Sequence, residues 1–174
     1  MKKINLLIQS LIAVIAIISM QVSHAQYKTL DPNDEDDPYA EKFWNEADIK
    51  IPTAPPSSNL KPFYVSPNTP LTFSIDAQSL SFDKDEVIRY IIVITSPSGA
   101  KQVTYEGIRC EKNEWRLYAT MQSDNKWVKS PTSRWQVVTG GNYNRYHAAL
   151  IQDAFCENGI PRRKPNDILR LLKP

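Results

Sequence analysis

Residues 87–110 read VIRYIIVITSPSGAKQVTYEGIRC and contain the strongest strand pattern in the chain. Tyr90–Ile94 is apolar on both faces, which is typical of a central strand covered on two sides. The sequence SPSG at residues 96–99 predicts a turn, because proline presets φ and glycine accepts a positive φ. Residues 101–110 then return as a second strand. The stretch therefore predicts two neighbouring strands at the centre of an antiparallel sheet.

Shorter strand-like runs flank this pair of strands. Residues 71–75 precede it and residues 114–122 follow it, and both runs alternate apolar with polar side chains. Short strands are also expected at Trp127 and over residues 134–139. The spacing predicts a meander of about five to seven strands.

Side-chain alternation predicts two further details of this sheet. In the run over residues 114–122, Trp115 and Leu117 are assigned to the inner face and Tyr118 to the outer face. Gly107 is predicted to form a β-bulge, because a glycine inside a strand pattern often marks one.

A helix that follows the strands is expected to cover the sheet. Asn142 or Asn144 predicts its N-cap, and Gly159 predicts its end after about Glu157. The side chains expected to pack on the sheet share one face of the helix and are Tyr143, His147, Leu150, Ile151 and Ala154. The predicted fold class is therefore α+β, with a core domain over residues 63–159.

Two charged segments flank this core. Residues 26–62 are acidic and rich in proline, and they predict an extended arm across the sheet in which Tyr39, Phe43 and Trp44 form a short helix. Residues 160–174 are basic and predict a tail with a short helix. The opposite charges suggest contact with each other or with charged envelope partners, although solvated segments are the commoner outcome.

The first 25 residues predict a cleaved secretory signal peptide. Two lysines precede an unbroken apolar run over residues 11–18, and small side chains at residues 23–25 define a signal-peptidase site between Ala25 and Gln26. An uncleaved anchor is the alternative, but polar residues interrupt a stretch that would need about 20 apolar residues to span a bilayer. The expectation is a periplasmic protein with no stable membrane insertion.

The charge balance and the cysteines are consistent with export. Without its two N-terminal lysines the chain has 19 basic and 19 acidic residues. A nucleic-acid-binding protein has a basic surplus, so nucleic acid is not an expected partner. Cys110 and Cys156 are the only cysteines, and an even number in an oxidising compartment predicts a disulfide, with two buried thiols as the alternative.

Several motifs carry a family resemblance. YEGIRC at residues 105–110, EWRLYA at residues 114–119 and FC at residues 155–156 resemble the cryptic neisserial protein family. The resemblance covers about residues 31–157 and leaves residues 160–174 outside. It implies an exported proteobacterial protein with an uncharacterised domain, and it supplies no catalytic residue.

His147 is the one histidine beyond the predicted signal peptide. An alternative function is a periplasmic hydrolase, in which His147 would be the general base. No Gly-x-Ser-x-Gly motif is present, and a single histidine on the inner face of a helix is more often a packed, hydrogen-bonded residue. A Cys–His pair would need a thiol that the disulfide removes. No catalytic residue and no cofactor is therefore predicted.

No metal site is predicted either. A structural zinc site needs about four Cys or His ligands, and too few are present. Residues 31–37 are rich in aspartate but lack the EF-hand spacing, so a solvated arm is favoured over a calcium site. Asp83, Asp85 and Glu86 are interpreted as a charged turn and not as a glycosidase pair.

Tyr118, Trp127 and Trp135 are, with His147, the candidate binding residues. Aromatic faces with polar neighbours can stack on sugars, so a glycan-binding module is a further alternative, although core packing is favoured for these side chains. The favoured function is a non-enzymatic periplasmic interaction or envelope-associated module. Its expected partner is an envelope protein or glycan, and the sequence leaves the oligomeric state open.

Protein purified from its native host should begin at Gln26 and should fractionate with the periplasm. N-terminal sequencing and intact-mass measurement check this expectation. A chain that begins at Met1 and remains with the inner membrane would contradict it.

Overall fold

The computed structural model describes residues 44–141 and 145–174, and the structural statements in the following sections concern those two ranges. The predictions that lie outside them concern the signal peptide of residues 1–25, the cleavage site at Ala25 and Gln26, residues 31–37, Tyr39, Phe43, Asn142, Tyr143 and Asn144.

The described residues form ten strands. These are β1 (Leu60–Phe63), β2 (Thr72–Asp76), β3 (Ser81–Phe82), β4 (Val87–Thr95), β5 (Lys101–Arg109), β6 (Glu114–Met121), β7 (Trp127–Lys129), β8 (Gln136–Val137), β9 (Cys156–Glu157) and β10 (Ile160–Pro161). Eight of them make one antiparallel sheet with the order β1-β2-β4-β5-β6-β7, to which β3 adds beside β4 and β8 beside β6. The predicted antiparallel meander is confirmed, and very short strands such as β3 raise the number above the prediction.

Strand β4 is covered on both faces, as its sequence predicts. Ile88, Tyr90 and Ile92 belong to a core cluster that includes Phe155 of the C-terminal helical region. Ile91 belongs to a second cluster on the opposite face. Since successive side chains of a strand point to opposite faces, the two clusters lie on the two sides of one sheet.

The β-bulge lies in β6 and not at Gly107, where the sequence predicts it. Gly107 pairs regularly with Arg116, whereas the register of β6 passes directly from Leu117 to Ala119 and leaves Tyr118 as the extra residue. A bulge shifts the alternation of side chains beyond it. Tyr118 and Ala119 therefore lie in the same cluster. Tyr118 is on the face opposite to Trp115, as the alternation predicts, and it is buried there.

Residues 44–57, the arm segment, cover the face of the sheet on which Tyr118 lies. Ile49 and Ile51 pack against the cluster on this face. Residues 44–52 have no regular secondary structure, so the helix predicted around Trp44 is not present from Trp44 onwards. The predicted arm boundary at residue 62 falls inside β1, so the end of the arm is part of the sheet.

The opposite face is covered by helix α1 (Arg145–Ala149) and a π-helical segment (Leu150–Phe155). The predicted helix is present, but it ends at Phe155 instead of near Glu157. A π-helix has i→i+5 hydrogen bonds and therefore a wider turn. This turn buries Phe155 together with Leu150 and Ala154, and the ring of Phe155 meets that of Tyr90 at 5.0 Å.

The predicted disulfide joins Cys110, just beyond β5, to Cys156 at the start of β9, with their Cα atoms 5.7 Å apart. Strands β9 and β10 form a ribbon whose two turn residues, Asn158 and Gly159, both have a positive φ. Such a two-residue turn matches the twist of the flanking strands. Helix α2 (Pro165–Leu171) follows and confirms the short C-terminal helix.

Within the described ranges, none of the helices has the length and apolarity that a membrane span requires.

Replacing both cysteines by alanine should lower the free energy of unfolding by about 4 kcal/mol, because the bond closes a loop of 46 residues in the unfolded chain. Urea unfolding checks this value, and wild-type protein reduced with dithiothreitol should show a similar loss. A double variant that unfolds at the wild-type urea concentration would contradict the expectation.

Candidate functional site

Buried and half-buried polar side chains, most of them titratable, form two clusters, one on each face of the central strands. The helix-face cluster consists of Tyr90, Thr104, Glu106, Tyr146 and His147. The arm-face cluster consists of Glu46, Asp85, Arg89, Arg116 and Tyr118.

Glu106 on β5 is the centre of the helix-face cluster and is only 1% exposed. Its Oε1 accepts hydrogen bonds from the Thr104 hydroxyl at 2.7 Å and from the Tyr146 hydroxyl at 3.0 Å. Its Oε2 accepts one from the Tyr90 hydroxyl at 2.9 Å and lies 3.0 Å from Nε2 of His147. Both carboxyl oxygens are therefore saturated by neighbouring side chains.

These contacts determine which groups are ionised. Burial by itself would raise the pKa of Glu106, but the charge of His147 and the hydrogen bonds from its neighbours outweigh burial and lower the pKa. A carboxylate can only accept hydrogen bonds, so Nε2 of His147 has the proton and donates it. Burial and the adjacent Glu106 raise the pKa of Tyr90, which therefore remains a donor.

His147 is enclosed by aromatic rings and is 1% exposed. Its ring stacks on that of Trp115, with the ring centres 3.9 Å apart, and lies tilted against that of Tyr146, with the centres 3.8 Å apart. Its Nδ1 is buried and has no hydrogen-bond partner among the described residues. A general base must come within hydrogen-bond distance of a substrate proton. This geometry therefore gives the hydrolase hypothesis no support.

Arg89 on β4 is the centre of the arm-face cluster. Its guanidinium binds both carboxyl oxygens of Asp85, with Nη1 at 3.2 Å from Oδ1, and it lies 3.3 Å from Asp83 and 3.5 Å from Glu46. Burial by itself would raise the pKa of Asp85, but Arg89 and two backbone N–H groups outweigh burial and lower it. A buried arginine in an apolar strand is therefore neutralised by carboxylates from the arm segment and from the turn before β4.

Glu46 anchors the arm segment to the sheet. It forms a salt bridge with Arg116, and it accepts hydrogen bonds from the Tyr118 hydroxyl and from Nε1 of Trp135 at 3.2 Å. Burial and the hydrogen bond to Glu46 raise the pKa of Tyr118, which therefore stays a donor. One acidic residue of the arm thus bonds three side chains of the sheet region.

Three further contacts hold the arm segment near Trp44. Its Nε1 donates to the backbone oxygen of Asp85 at 2.7 Å, and its ring lies edge-on to Trp135 at 5.7 Å. The guanidinium of Arg109 lies 4.1 Å from the centre of the Trp44 ring, which is a cation–π distance.

Gly107 makes room for this arrangement. A Cβ atom at Gly107 would lie 2.5 Å from the hydroxyl oxygen of Tyr118, closer than any packed pair of atoms allows. The glycine noticed in the sequence therefore permits the close approach of the bulged Tyr118 and is not itself the bulge.

The candidate binding residues do not form one site. Tyr118 and Trp135 both bond Glu46, and Nε1 of Trp127 donates to the backbone oxygen of Ala54 at 2.9 Å, so these three side chains hold the arm segment. His147 lies on the other face of the sheet. Glycan binding by these aromatic residues stays a prediction. Their polar atoms are bonded to the arm segment.

Sequence reasoning missed the charged residues at the centre of both clusters. For Arg89 the available signal was a charged residue inside the otherwise apolar strand β4. Glu106 lies in the mixed strand β5 and had no comparable signal. Charged residues are rarely buried without a partner. The partners themselves lie too far away in sequence to be read from a local pattern, since Glu46 is 70 residues from Arg116.

The fold and its clusters define a small, disulfide-bonded α+β domain whose charged groups lie between the sheet and its two covers. The sequence profile of the CNP1-like family matches residues 39–173, and the chain belongs to this family. The match includes α2 and corrects the expectation that residues 160–174 lie outside the resemblance.

A curated relative is similar to part of the chain. Over 110 residues the chain is 27% identical to Cryptic neisserial protein 1 of Neisseria gonorrhoeae, which covers 56% of this chain and 54% of that protein. The chain thus spans about half the length of this relative. No solved structure matches the chain.

Replacing Gly107 with alanine should push Tyr118 away from Glu46 and lower the free energy of unfolding by about 2 kcal/mol, as overpacking does. Urea unfolding followed by tryptophan fluorescence checks this, since Trp44 and Trp135 contact the same cluster. Gly141→Ala is the matched control, because a Cβ there would make only an ordinary contact at 3.7 Å. Equal stability of the two variants would show that Gly107 has no steric role.

Acid should weaken the fold through Glu106 and Asp85. The pKa of each is lowered in the folded chain, so each contributes stability above the pKa of an unfolded carboxyl, about 4, and loses it as the pH falls further. Urea midpoints measured between about pH 6 and about pH 2 should therefore fall with pH. Glu106→Gln should flatten this slope and Asp153→Asn, at an exposed carboxylate, should not. A midpoint independent of pH would contradict the prediction.

Proposed function

We propose that this chain is an exported, non-enzymatic binding module of the periplasm and that its partner is a protein of the cell envelope. The observation that carries the proposal is the burial of both titratable clusters. Glu106 and His147, the groups best suited to acid–base chemistry, bond each other inside the core. Asp85 and Arg89 do the same on the other face. The reactive side chains thus support the fold and leave its surface for recognition.

Two features support the periplasmic location. The N-terminal 25 residues have the composition of a secretory signal peptide. The bond between Cys110 and Cys156 joins two distant parts of the chain, and structural disulfides persist in oxidising compartments.

Exposed apolar side chains around β1 offer a contact surface. Tyr64 is 56% exposed and lines a groove of about 430 Å³ together with Leu171. Leu71 lines a neighbouring groove of about 510 Å³. Polar residues such as Gln152 and Gln102 border the two grooves. Exposed apolar side chains beside polar ones are typical of a protein–protein contact surface, and for this reason the proposed partner is a protein.

Photo-crosslinking in intact cells tests the proposal. Tyr64 and Leu71 are replaced one at a time by p-benzoylphenylalanine, and adducts are identified by mass spectrometry. Lys112, which is exposed and lines neither groove, is the matched control position. The expected result is one envelope protein joined to positions 64 and 71 and absent at position 112. Tyr64→Asp should reduce the adduct formed from position 71.

The proposal is overturned if positions 64 and 71 give no adduct, or the same adducts as position 112, while the protein is folded and exported. It is also overturned if the purified protein turns over a substrate and His147→Asn abolishes the turnover.

A further inference from the structure

One of the two grooves around β1, the groove that Leu71 lines, has a positive charge. Arg145 is the one charged side chain among the described residues that line it. The segments of the chain that form this groove are residues 65–73, 94–102 and 145–146. They contain no acidic residue, and Lys101 is their one other charged residue. The groove therefore favours a partner group of negative charge.

The neighbouring groove, which Tyr64 lines, has no such preference. Its charged lining residues among the described ones are Asp153 and Lys173, one of each sign. Opposite charges across an interface select a partner, and like charges exclude one. The preference for an acidic partner thus comes from the Leu71 groove.

Arg145 is placed for the recognition of a carboxylate. It is half-buried at the start of α1, and its Nη1 donates a hydrogen bond to Oγ of Ser66 at 3.0 Å. Ser66 is uncharged, so this bond orients the guanidinium and does not change its charge. An oriented guanidinium can bind both oxygens of a carboxylate, and arginine is enriched in protein interfaces.

Apolar side chains surround this charge. Leu71 is 38% exposed, and the half-buried Val65 and Ile94 line the same groove. Charges that pair at such a partly buried site are screened less by salt than charges on an open surface. The groove therefore fits an acidic side chain that has an apolar side chain beside it.

We propose that the envelope protein partner docks in the Leu71 groove through an acidic residue and an apolar residue close to it. The carboxylate of the acidic residue binds Arg145, and the apolar side chain packs on Leu71. This inference rests on the protein partner proposed above and specifies the chemistry of its contact segment.

Charge changes in the Leu71 groove test the inference in intact cells, with p-benzoylphenylalanine at position 64 in the neighbouring groove. Arg145→Glu should lower the yield of the adduct at least about tenfold, because a like charge then faces the carboxylate of the partner. Gln102→Glu keeps Arg145 and adds a negative charge to the same groove, so it should also lower the yield. Lys129→Glu makes the same charge change as Arg145→Glu at an exposed residue that lines neither groove, and it should give the wild-type yield.

The adduct formed from position 71 identifies the contact segment itself. Tandem mass spectrometry should find an aspartate or glutamate within about three residues of the crosslinked residue, a span of about 10 Å in an extended chain. Replacing that acidic residue with lysine should restore the adduct of Arg145→Glu, because the charges on both sides are then exchanged.

The inference is overturned if the wild-type adduct forms and its yield is unchanged in both Arg145→Glu and Gln102→Glu. It is also overturned if the segment crosslinked to position 71 contains no acidic residue. Either result leaves the proposed protein partner in place. A folded, exported protein that gives no adduct at positions 64 and 71 overturns the proposed function and this inference with it.

Discussion

The rest of the structure depends on the burial of β4 from both sides. Seven successive residues, Val87 to Val93, are buried, so the sheet needs a cover on each face. The helical region supplies one cover and the arm segment supplies the other. Each cover is held by a carboxylate, the buried Glu106 on the helix face and the half-buried Glu46 on the arm face. Since an unpaired buried charge destabilises a protein by about 3–5 kcal/mol, each cover also neutralises charge inside the fold.

This constraint explains why the most reactive groups of the chain have a structural role. Arg89 can lie in the middle of an apolar strand because Asp85 and Glu46 surround it. His147 can be buried between the helix and the sheet because its Nε2 donates a hydrogen bond to Glu106 and aromatic rings enclose it.

A large part of this fold is predictable from the sequence. Strand alternation and turns are properties of neighbouring residues, and the pairing of the cysteines follows from there being two of them. The central strands, the helix with His147 facing inward and the disulfide follow from them. The bulge at Tyr118 does not, since it depends on the space above Gly107. The π-helical turn does not follow either, since it places Phe155 against Tyr90, a residue 65 positions away in the sequence. The arm contacts join residues about 40 to 90 positions apart, which no local pattern encodes.

The central claim is that the arm segment is a layer of the fold and not an attached tail. Native-state hydrogen exchange of the Ala47 amide, which donates to the Asp85 carboxylate, tests this claim most directly. The account predicts that this amide exchanges as slowly as the amides of β4, because both open only when the whole domain unfolds. Rapid exchange at Ala47 while β4 remains protected would contradict it.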